Sequence, residues 1–356
     1  MANTKLANAR NAKDDECYTR YEDIQKEINA YLEYNANAFR DKTVLLPCDD
    51  PEWSNFTRYF AEHFERLGLK KLISTSYAIR NKKTKYGGYY QLSIFETENP
   101  KFNEKLTETH GKIFTLTKDT NKSGRINIDD LEWDYLEGDG DFRSDEVTAL
   151  RDEADIIVTN PPFSMFSSYF LTWLMESGKK FLIIANKNCV TYKEVFPLIK
   201  ANQLWAGATP WSGGLWFHTD SANSEANMKN VPAAWFTNME HGRRHEPLHG
   251  LMTMEENLRF SKHAKVREQG YPKYDNYDAI EVPYTDAIPS DYNGIMGVPP
   301  TFLEKYNPEQ FMILGATESE GKGFSCGLWD EHSKVAQPLV AGEKRYKRIF
   351  IRFNRG

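Results

Sequence analysis

The sequence predicts an α/β fold built on a doubly wound sheet, with parallel strands at its centre and helices on both faces. The apolar run Thr43–Leu46 is typical of a buried parallel strand, and a helical pattern followed by a second apolar run, residues 69–74, makes a β-α-β beginning. The same rhythm returns with buried strands predicted at 154–159 and 181–185. A sheet of this kind binds ligands just beyond the carboxyl ends of its parallel strands.

Apolar residues at helical spacing predict the helices of this fold. The first helix begins at about Tyr21. The second carries its apolar residues on one face between Phe56 and Leu67 and ends at Gly68, since glycine readily adopts the left-handed conformation of a helix C-terminus. A third helix passes through residues 169–174, between the two later strands.

Three further segments depart from the α/β rhythm. Residues 80–133 alternate between polar and apolar types, which predicts hairpins inserted outside the sheet. Two more strands are expected at 203–206 and 232–237, separated by a loop rich in glycine and serine. Little periodicity follows until the alternating strand 346–352 near the end of the chain.

Length and composition fit two domains. The chain has 356 residues, 40% of them hydrophobic, which is enough for a substantial core. We expect a catalytic domain over residues 1–240 and an accessory region over 241–356. The four cysteines lack the paired spacing of a zinc site or disulfide framework, which indicates reduced thiols. Without a signal peptide or an apolar stretch of membrane-spanning length, the protein is expected in the cytoplasm, away from membranes.

The net charge of −6 hides an uneven distribution. Twelve acidic and two basic residues fall between Asn127 and Asp155, so the rest of the chain carries +4. The last nineteen residues hold six basic side chains and one acidic one, and a second basic group lies between Arg80 and Lys85. Such clusters can bind phosphate groups, and each is equally compatible with a solvated surface.

The segment Asn160-Pro161-Pro162-Phe163, directly after the strand predicted at 154–159, is the strongest functional signal in the chain. The lone pair of an aromatic amine is delocalised, so two acceptors aimed at its N–H bonds would favour a nitrogen that attacks a methyl group. The Asn160 side-chain oxygen and the Pro161 carbonyl can be these acceptors. The prolines stiffen the loop, and Phe163 offers a face on which a flipped-out base can stack.

DIIVTNPPF resembles the fourth motif of amino-methyltransferases, and nearly the whole chain is similar to the EcoRI-type adenine-specific DNA methyltransferases. The matching segments are DDECYTRYEDI, CDDPEWSNF, GDGDFRS, FLIIANK, VPAAWFTN, YPKYDNYDAI and RIFIR. The resemblance implies a Rossmann-like class I methyltransferase sheet. It also implies a cofactor site before the catalytic motif and a target-recognition region after it.

The resemblance further implies transfer of a methyl group from S-adenosyl-L-methionine to the N6 amine of a flipped-out adenine in a specific double-stranded DNA sequence. Asn160–Phe163 would be the catalytic loop, and no metal is implied. We expect the enzyme to act as a monomer in a restriction-modification setting. A cognate restriction endonuclease in the same system would form no stable complex with it.

The cofactor site is assigned by the same resemblance. The expected cofactor-binding residues are Tyr18, Thr19, Cys48, Asp49, Asp50, Asp141 and Phe142. The first two would close over the methionine end of the cofactor, and the middle three would replace the usual glycine-rich loop. The last two would hold the adenine by its amine and its ring.

Two features depart from the wider methyltransferase pattern. No G-x-G follows the first strand, where glycine normally lets the backbone approach the cofactor. The second strand ends in Ser-Thr-Ser-Tyr at residues 74–77, without the acidic residue that commonly binds the ribose. Asp49 or Asp50 could bind the ribose hydroxyls or the methionine ammonium, and the sequence leaves that choice open.

The residues expected to contact DNA are Arg345, Lys347, Arg348, Arg352, Trp211 and Trp216. The basic side chains belong to the C-terminal cluster and would contact phosphates. The tryptophans, with Phe217, fall in the loop rich in glycine and serine. There they could wedge into DNA or simply pack against the protein.

Other interpretations of the main signals stay open. An NPPF loop can hold another planar amine, such as cytosine N4, a base in RNA or a protein glutamine. A degenerate methyltransferase fold could also act as a DNA-binding regulator, because the first motif is altered.

Two short patterns mimic metal sites. Residues 119–130 resemble a calcium-binding loop, but the preceding segment alternates like a strand and Asp130 stands where glutamate is usual, so a hairpin turn is predicted. His245–His249 matches HExxH, but Pro247 opposes the helix that would bring both histidines to one zinc ion.

Overall fold

The computed structural model describes residues 18–49, 54–78, 100–218, 228–317 and 337–355. The chain forms two compact units. The first contains the residues up to 186 together with 212–239, and the second contains 187–211 and the residues from 240 onward. Residues 187–211, which the sequence analysis places in the catalytic domain, belong to the second unit.

The strands, in chain order, are β1 (Tyr18–Thr19), β2 (Thr43–Leu46), β3 (Lys71–Ser76), β4 (Lys112–Leu116), β5 (Glu132–Tyr135), β6 (Ile156–Thr159), β7 (Lys180–Asn186), β8 (Trp205–Ala206), β9 (Leu215–His218), β10 (Met228–Val231), β11 (Ala233–Thr237), β12 (Ile280–Glu281), β13 (Met296–Val298), β14 (Phe311–Ala316), β15 (Leu339–Val340), β16 (Glu343–Lys344) and β17 (Ile349–Phe353). The helices are α1 (Tyr21–Tyr34), α2 (Asn55–Glu62), α3 (Phe64–Leu67), α4 (Glu104–Thr109), α5 (Asp145–Glu153), α6 (Leu171–Glu176), α7 (Phe196–Lys200), α8 (Met254–Phe260) and α9 (Ala264–Gln269). A π-helical turn, Phe166–Phe170, precedes α6, and short 3-10 turns occupy Ile128–Asp130, Lys187–Thr191, Gly242–His245, Thr285–Ala287 and Pro300–Lys305.

The second predicted helix is interrupted. It divides at His63 into α2 and α3, and Gly68 ends it in the left-handed conformation, with φ of 65°, as predicted. The predicted start of the first helix at Tyr21 and the predicted strand Thr43–Leu46 are both confirmed.

The central sheet of the first unit has the strand order β5-β4-β3-β2-β6-β7-β11. Its middle strands β3, β2, β6 and β7 run parallel, as predicted. The flanking strands β4, β5 and β11 each pair antiparallel with a neighbour. The carboxyl ends of β3, β2 and β6 therefore meet at one edge of the sheet, with β2 between the other two.

Both faces of the parallel strands are buried. On one face they share a core with α1 and α2, where Ile28 and Phe60 are inaccessible to solvent. Leu45, Ile73 and Ile157 fall outside that core cluster and are also completely buried, because successive side chains of a strand point to opposite faces. Burial on both faces explains why these strands appear in the sequence as continuous apolar runs.

The segment predicted as hairpins outside the sheet instead extends it. β4 pairs antiparallel with β3, and β5 pairs with β4. Alternate residues of β4 are buried and Leu116 lies in the main core, so its alternating pattern belongs to a sheet strand with one covered face. The predicted hairpin around Gly87 and the basic group Arg80–Lys85 lie outside the described residues.

The calcium-like loop is a hairpin turn between β4 and β5, as predicted. Asp119 accepts hydrogen bonds from the backbone N–H groups of Ser123 and Gly124, at 3.1 and 2.7 Å. Asp130 accepts them from the backbone of Asn127, Asn121 and Thr120.

These bonds decide the ionisation of Asp130. Burial alone would raise the pKa of Asp130, but the backbone hydrogen bonds hold it below its ordinary value. Across the described ranges, no group of three or more His, Cys, Asp or Glu side chains is placed to hold a metal ion. Nor does any helix in those ranges combine the length and apolar character needed to span a membrane.

The part of the predicted loop that holds Trp216 and Phe217 is a strand. β9 pairs antiparallel with β1 on one side and β10 on the other, in a separate three-stranded sheet. Phe217 is completely buried in the main core, whereas Trp216, its neighbour on the opposite face, is 47% exposed.

The second unit has its own four-stranded sheet, in the order β12-β13-β17-β14. The strand predicted from residue 346 begins at Ile349 and pairs antiparallel with both β13 and β14. Its first three residues, Ile349–Ile351, are inaccessible to solvent. The weak periodicity of this region reflects short strands and irregular connections.

A buried ion pair joins β12 to the start of β17. Glu281 and Arg348 are 2% and 7% exposed, and the guanidinium binds both carboxylate oxygens, at 2.5 and 3.0 Å. The Tyr274 hydroxyl also donates to the Glu281 carboxylate. The hydrogen bonds from these two partners compensate the cost of burying the carboxylate.

Removal of the guanidinium should destabilise the protein strongly. We expect Arg348→Met to lower the free energy of unfolding by about 3–5 kcal/mol, because Glu281 would be left as an unpaired buried charge. Arg352→Met, at an exposed position of the same strand, should change it by less than about 0.5 kcal/mol. Urea denaturation measures both values, and equal unfolding midpoints for the two variants would contradict the role given to the pair.

Candidate active site

The predicted catalytic loop begins at the carboxyl end of β6, in the middle of the sheet. β6 is paired in parallel with β2, and Ile156 and Ile157 lie opposite Val44 and Leu45. The loop Asn160–Phe163 and the turn that follows β2 therefore start side by side. Pro161 is buried, whereas Asn160, Pro162 and Phe163 are partly buried.

Hydroxyl groups from neighbouring strands hold the turn Pro47–Asp49. Ser74 donates to the backbone carbonyl of Asp49 at 2.6 Å, and Thr75 donates to that of Pro47 at 3.0 Å. From the other side, Thr159 donates to the Asp49 carboxylate at 2.6 Å. The turn is thereby fixed to the ends of both β3 and β6.

The Asp49 carboxylate has a structural role that the sequence did not predict. Its second oxygen accepts the Ser54 hydroxyl at 3.0 Å, and the Ser54 oxygen in turn accepts the backbone N–H of Phe56 at the start of α2. Asp49 is 6% exposed. The side chain expected to bind cofactor thus joins the N-terminus of α2 to the end of β6.

The turn does not need glycine. Among the described residues, the non-glycine positions with positive φ are Asp41, Lys122, Asn202 and Ala341, and none of these belongs to the turn Pro47–Asp49. The absence of a G-x-G motif therefore imposes no backbone strain here. Asp50, the other carboxylate expected at this turn, lies outside the described residues.

Cys48 is partly buried at the centre of the turn. Burial, followed by the charge of Asp49, raises the pKa of the Cys48 thiol well above its ordinary value, and Asp141 contributes further. The sulfur is therefore a neutral thiol at physiological pH.

The loop 138–142 is packed against the end of β3. The N–H of Ala78 donates to the carbonyl of Asp139 at 2.8 Å. Gly140 has φ of 82°, and a Cβ at this position would collide with the carbonyl oxygen of Ser76. Glycine is required here because the two backbones approach so closely.

Asp141 is held by Arg143. The Arg143 guanidinium binds the Asp141 carboxylate at 2.5 Å, and its backbone N–H donates to the same group at 2.9 Å. Burial raises the pKa of Asp141, but these bonds outweigh it and hold the pKa below its ordinary value. Asp141 is thus an oriented, ionised acceptor.

Phe142 lies beneath the loop rather than on its surface. It is 5% exposed and packs edge-on against Phe170 and Trp173, with ring centroids 5.2 and 5.6 Å away. These contacts fix the base of the loop. Little of the Phe142 side chain is therefore accessible to a ligand in this conformation.

The N-terminal strand reaches the same region through α2. Thr19 is 4% exposed, and its carbonyl accepts a hydrogen bond of 2.8 Å from the Asn55 side chain. Its hydroxyl oxygen is buried and has no hydrogen-bond partner within the described ranges. Tyr18, the preceding residue of the strand, is partly buried. A buried hydroxyl of this kind is suited to a polar ligand group.

Phe163 is supported from behind by the core. Its ring packs edge-on against Phe217 at a centroid distance of 6.3 Å, and part of its surface remains accessible. Phe217 lies on β9, opposite Thr19 of β1. The sheet β1-β9-β10 therefore links the predicted cofactor residues Tyr18 and Thr19 to the predicted catalytic loop.

The residues expected to contact DNA differ in their exposure to solvent. Trp211 is 4% exposed, which favours packing over a wedge into DNA, and the ion pair with Glu281 removes Arg348 from the surface. Arg345 pairs with Glu343 at 2.9 Å, and its side chain is 18% exposed. In this structure Arg345 and Arg348 are therefore both engaged in ion pairs within the protein.

The other predicted contacts are more accessible. Lys347 is partly buried, donates to Thr191 at 3.2 Å and has a pKa lowered by burial. Arg352 and Trp216 are exposed, and so is Lys344, another basic residue of the C-terminal cluster.

At the edge formed by the ends of β3, β2 and β6, the structure therefore joins a rigid turn, an ionised Asp141 and the loop Asn160–Phe163. Carboxylate and amide groups there can hold a nucleoside and an amine side by side. Sequence reasoning missed Thr159, Ser74 and Ser54, because a buried hydroxyl that donates to a turn leaves no periodic pattern.

Known proteins resemble this chain along almost its full length. The profile of the family described as "Adenine-specific methyltransferase EcoRI" matches residues 5–354. Type II methyltransferase M.EcoRI of Escherichia coli is 40% identical over 324 residues, which cover 88% of this chain and 89% of that protein. Type II methyltransferase M.MpnI of Mycoplasma pneumoniae is 32% identical, with 97% and 96% covered. Type II methyltransferase M.MgeORF184P of Mycoplasma genitalium is also 32% identical, with 97% of each covered. No solved structure matches the chain.

The bonds to Asp49 should contribute measurably to stability. We expect Thr159→Val to lower the free energy of unfolding by about 1.5–3 kcal/mol, because a hydrogen bond to a charged buried group is lost. Ser54→Ala should also destabilise the protein, and the two effects should be non-additive since both donors share one carboxylate.

Thr109→Val is the control, because Thr109 is exposed and its hydroxyl contacts only local partners, the Lys105 carbonyl and the ring of the neighbouring His110. It should change the free energy of unfolding by less than about 0.5 kcal/mol. A Thr159→Val variant as stable as this control would show that Asp49 does not depend on Thr159.

Proposed function

The chain belongs to the EcoRI family of adenine-specific methyltransferases. We propose that it transfers a methyl group from S-adenosylmethionine to the N6 amine of adenine in a specific double-stranded DNA sequence. As a member of this family it is an adenine-specific DNA methyltransferase. The observation that carries the detailed proposal is the start of Asn160–Phe163 at the carboxyl end of β6, beside the turn after β2. The parallel centre of the sheet supports a Rossmann-like methyltransferase fold.

Asn160 and Pro161 are proposed to accept the two N–H bonds of a flipped-out adenine amine. Their oxygens would favour the pyramidal nitrogen that forms as its lone pair attacks the methyl carbon. Because the loop is anchored by β6 and contains two prolines, the acceptors are preorganised. Phe163, backed by Phe217, offers a partly accessible face to the extruded base.

The residues at the end of the sheet fit the proposed cofactor. S-adenosylmethionine, when bound, supplies an electrophilic methyl group on a sulfonium. The buried hydroxyl of Thr19 and the ionised carboxylate of Asp141 are suited to its polar groups. Asp49 acts indirectly, by fixing the turn on which the cofactor would lie.

The second unit is proposed to read the DNA target, with phosphate contacts from its exposed basic residues. Lys344 and Arg352 support this assignment, whereas Arg348 is proposed to hold the unit together. Action as a monomer, a location in the cytoplasm and a cognate restriction endonuclease stay predictions. The family favours adenine over the other planar amines considered.

Replacement of the catalytic asparagine tests the chemistry. We expect Asn160→Ala to reduce the rate of methyl transfer by at least about 100-fold, since one preorganised acceptor in the transition state is removed. Binding of DNA and of S-adenosylhomocysteine should change by less than threefold.

Radiolabelled methyl transfer to duplex DNA, followed by digestion to nucleosides, measures the rate and identifies the product. Asn37→Ala, an exposed asparagine in the same unit, is the control and should retain full activity. An equal loss of DNA binding and of turnover in Asn160→Ala would contradict the catalytic assignment.

The basic residues are tested by the salt dependence of DNA binding. We expect Lys344→Gln/Arg352→Gln to weaken binding and to reduce the slope of log K against log salt by about 2, since each phosphate contact contributes about 0.9. Lys70→Gln/Lys105→Gln removes two exposed charges from the first unit and should leave the slope unchanged. An unaltered slope in the first double variant would exclude these residues as phosphate contacts.

A further inference from the structure

The acidic residue missing from the end of β3 has a spatial substitute. We infer that Asp139 takes its place and accepts hydrogen bonds from the ribose hydroxyls of the methyl donor, with Tyr77 as a positioning residue. The inference rests on the proposed function, because it assumes that S-adenosylmethionine lies across the carboxyl ends of β2 and β3.

The backbone places Asp139 where a strand-end acid would stand. Its carbonyl accepts the N–H of Ala78, two residues beyond the end of β3. The left-handed Gly140 lets the next peptide lie against the carbonyl of Ser76, the last residue of that strand. Asp139 is thus fixed beside the strand end even though it lies more than sixty positions later in the sequence.

Neutral donors orient the Asp139 carboxylate. The backbone N–H of Asp141 donates to it at 3.1 Å, and the Tyr77 hydroxyl donates to it from the first position after β3. Burial, together with the charges of Asp139 and Asp141, raises the pKa of Tyr77 to about 12, so this hydroxyl keeps its proton at neutral pH. A carboxylate has about four acceptor positions, so it can hold these donors and a ribose diol together.

The neighbouring carboxylates have other tasks. Asp49 receives the hydroxyls of Ser54 and Thr159, and Asp141 is bound by the Arg143 guanidinium. Asp139 is partly exposed, so a ligand can approach it, whereas Asp49 is buried. Asp141, two residues after Asp139 in the sequence, can still accept a hydrogen bond from the adenine amine of the cofactor.

Calorimetric binding of S-adenosylhomocysteine and of its 2′,3′-dideoxy analogue tests the inference. The unmodified protein should bind the dideoxy analogue at least tenfold more weakly than S-adenosylhomocysteine. The analogue lacks the ribose hydroxyls, so their hydrogen bonds to the charged Asp139 carboxylate are lost. Asp139→Ala should weaken binding of S-adenosylhomocysteine by about the same factor and leave the affinity of the analogue unchanged. Tyr77→Phe should reduce the preference for the intact ribose by a smaller factor.

Asp145→Ala is the matched control, because Asp145 is an exposed aspartate in the first turn of the adjacent α5. It should bind both ligands as the unmodified protein does, and the unfolding temperatures of all variants check that each is folded. Equal weakening of both ligands by Asp139→Ala, or no weakening of either, would overturn the inference. If the unmodified protein bound neither ligand, the proposed cofactor itself would be wrong, and the inference with it.

Discussion

The buried carboxylate of Asp49 is the interaction on which the site depends. It receives hydroxyls from Ser54 and Thr159, and so joins the start of α2 to the end of β6. Ser74 fixes the backbone of the same residue to β3. Since Asn160 follows Thr159 directly, the Asp49 carboxylate sets both the position of the proposed catalytic loop and the shape of the turn.

The turn after β2 differs from the glycine-rich loop that methyltransferases commonly have at this position. Glycine-rich loops let a cofactor approach closely because they lack side chains, but they are conformationally permissive. Here no residue of the turn Pro47–Asp49 has a positive φ, and the turn is restrained by four hydroxyl groups, those of Ser54, Ser74, Thr75 and Thr159. Rigidity comes from buried hydrogen bonds, which are costly to break.

The sequence predicted correctly those elements that leave a local pattern of residues. The parallel strands and the loop Asn160–Phe163 could be predicted, because buried runs and prolines leave local patterns. The pairing of β4 with β3 could not, since an alternating strand does not reveal its partner. Nor could the pattern distinguish Arg348 from Arg352, because burial beside Glu281 depends on a residue 67 positions away.

The Cys48 thiol has a chemical consequence for an enzyme that handles an activated methyl group. A thiolate is a strong nucleophile, and one placed in this turn would compete with an adenine amine for the electrophilic carbon. Burial and the charge of Asp49 raise the pKa of Cys48, so the sulfur stays protonated and far less reactive. In the proposed site, burial and the Asp49 carboxylate would thus keep this thiol from competing with the adenine amine for the methyl group.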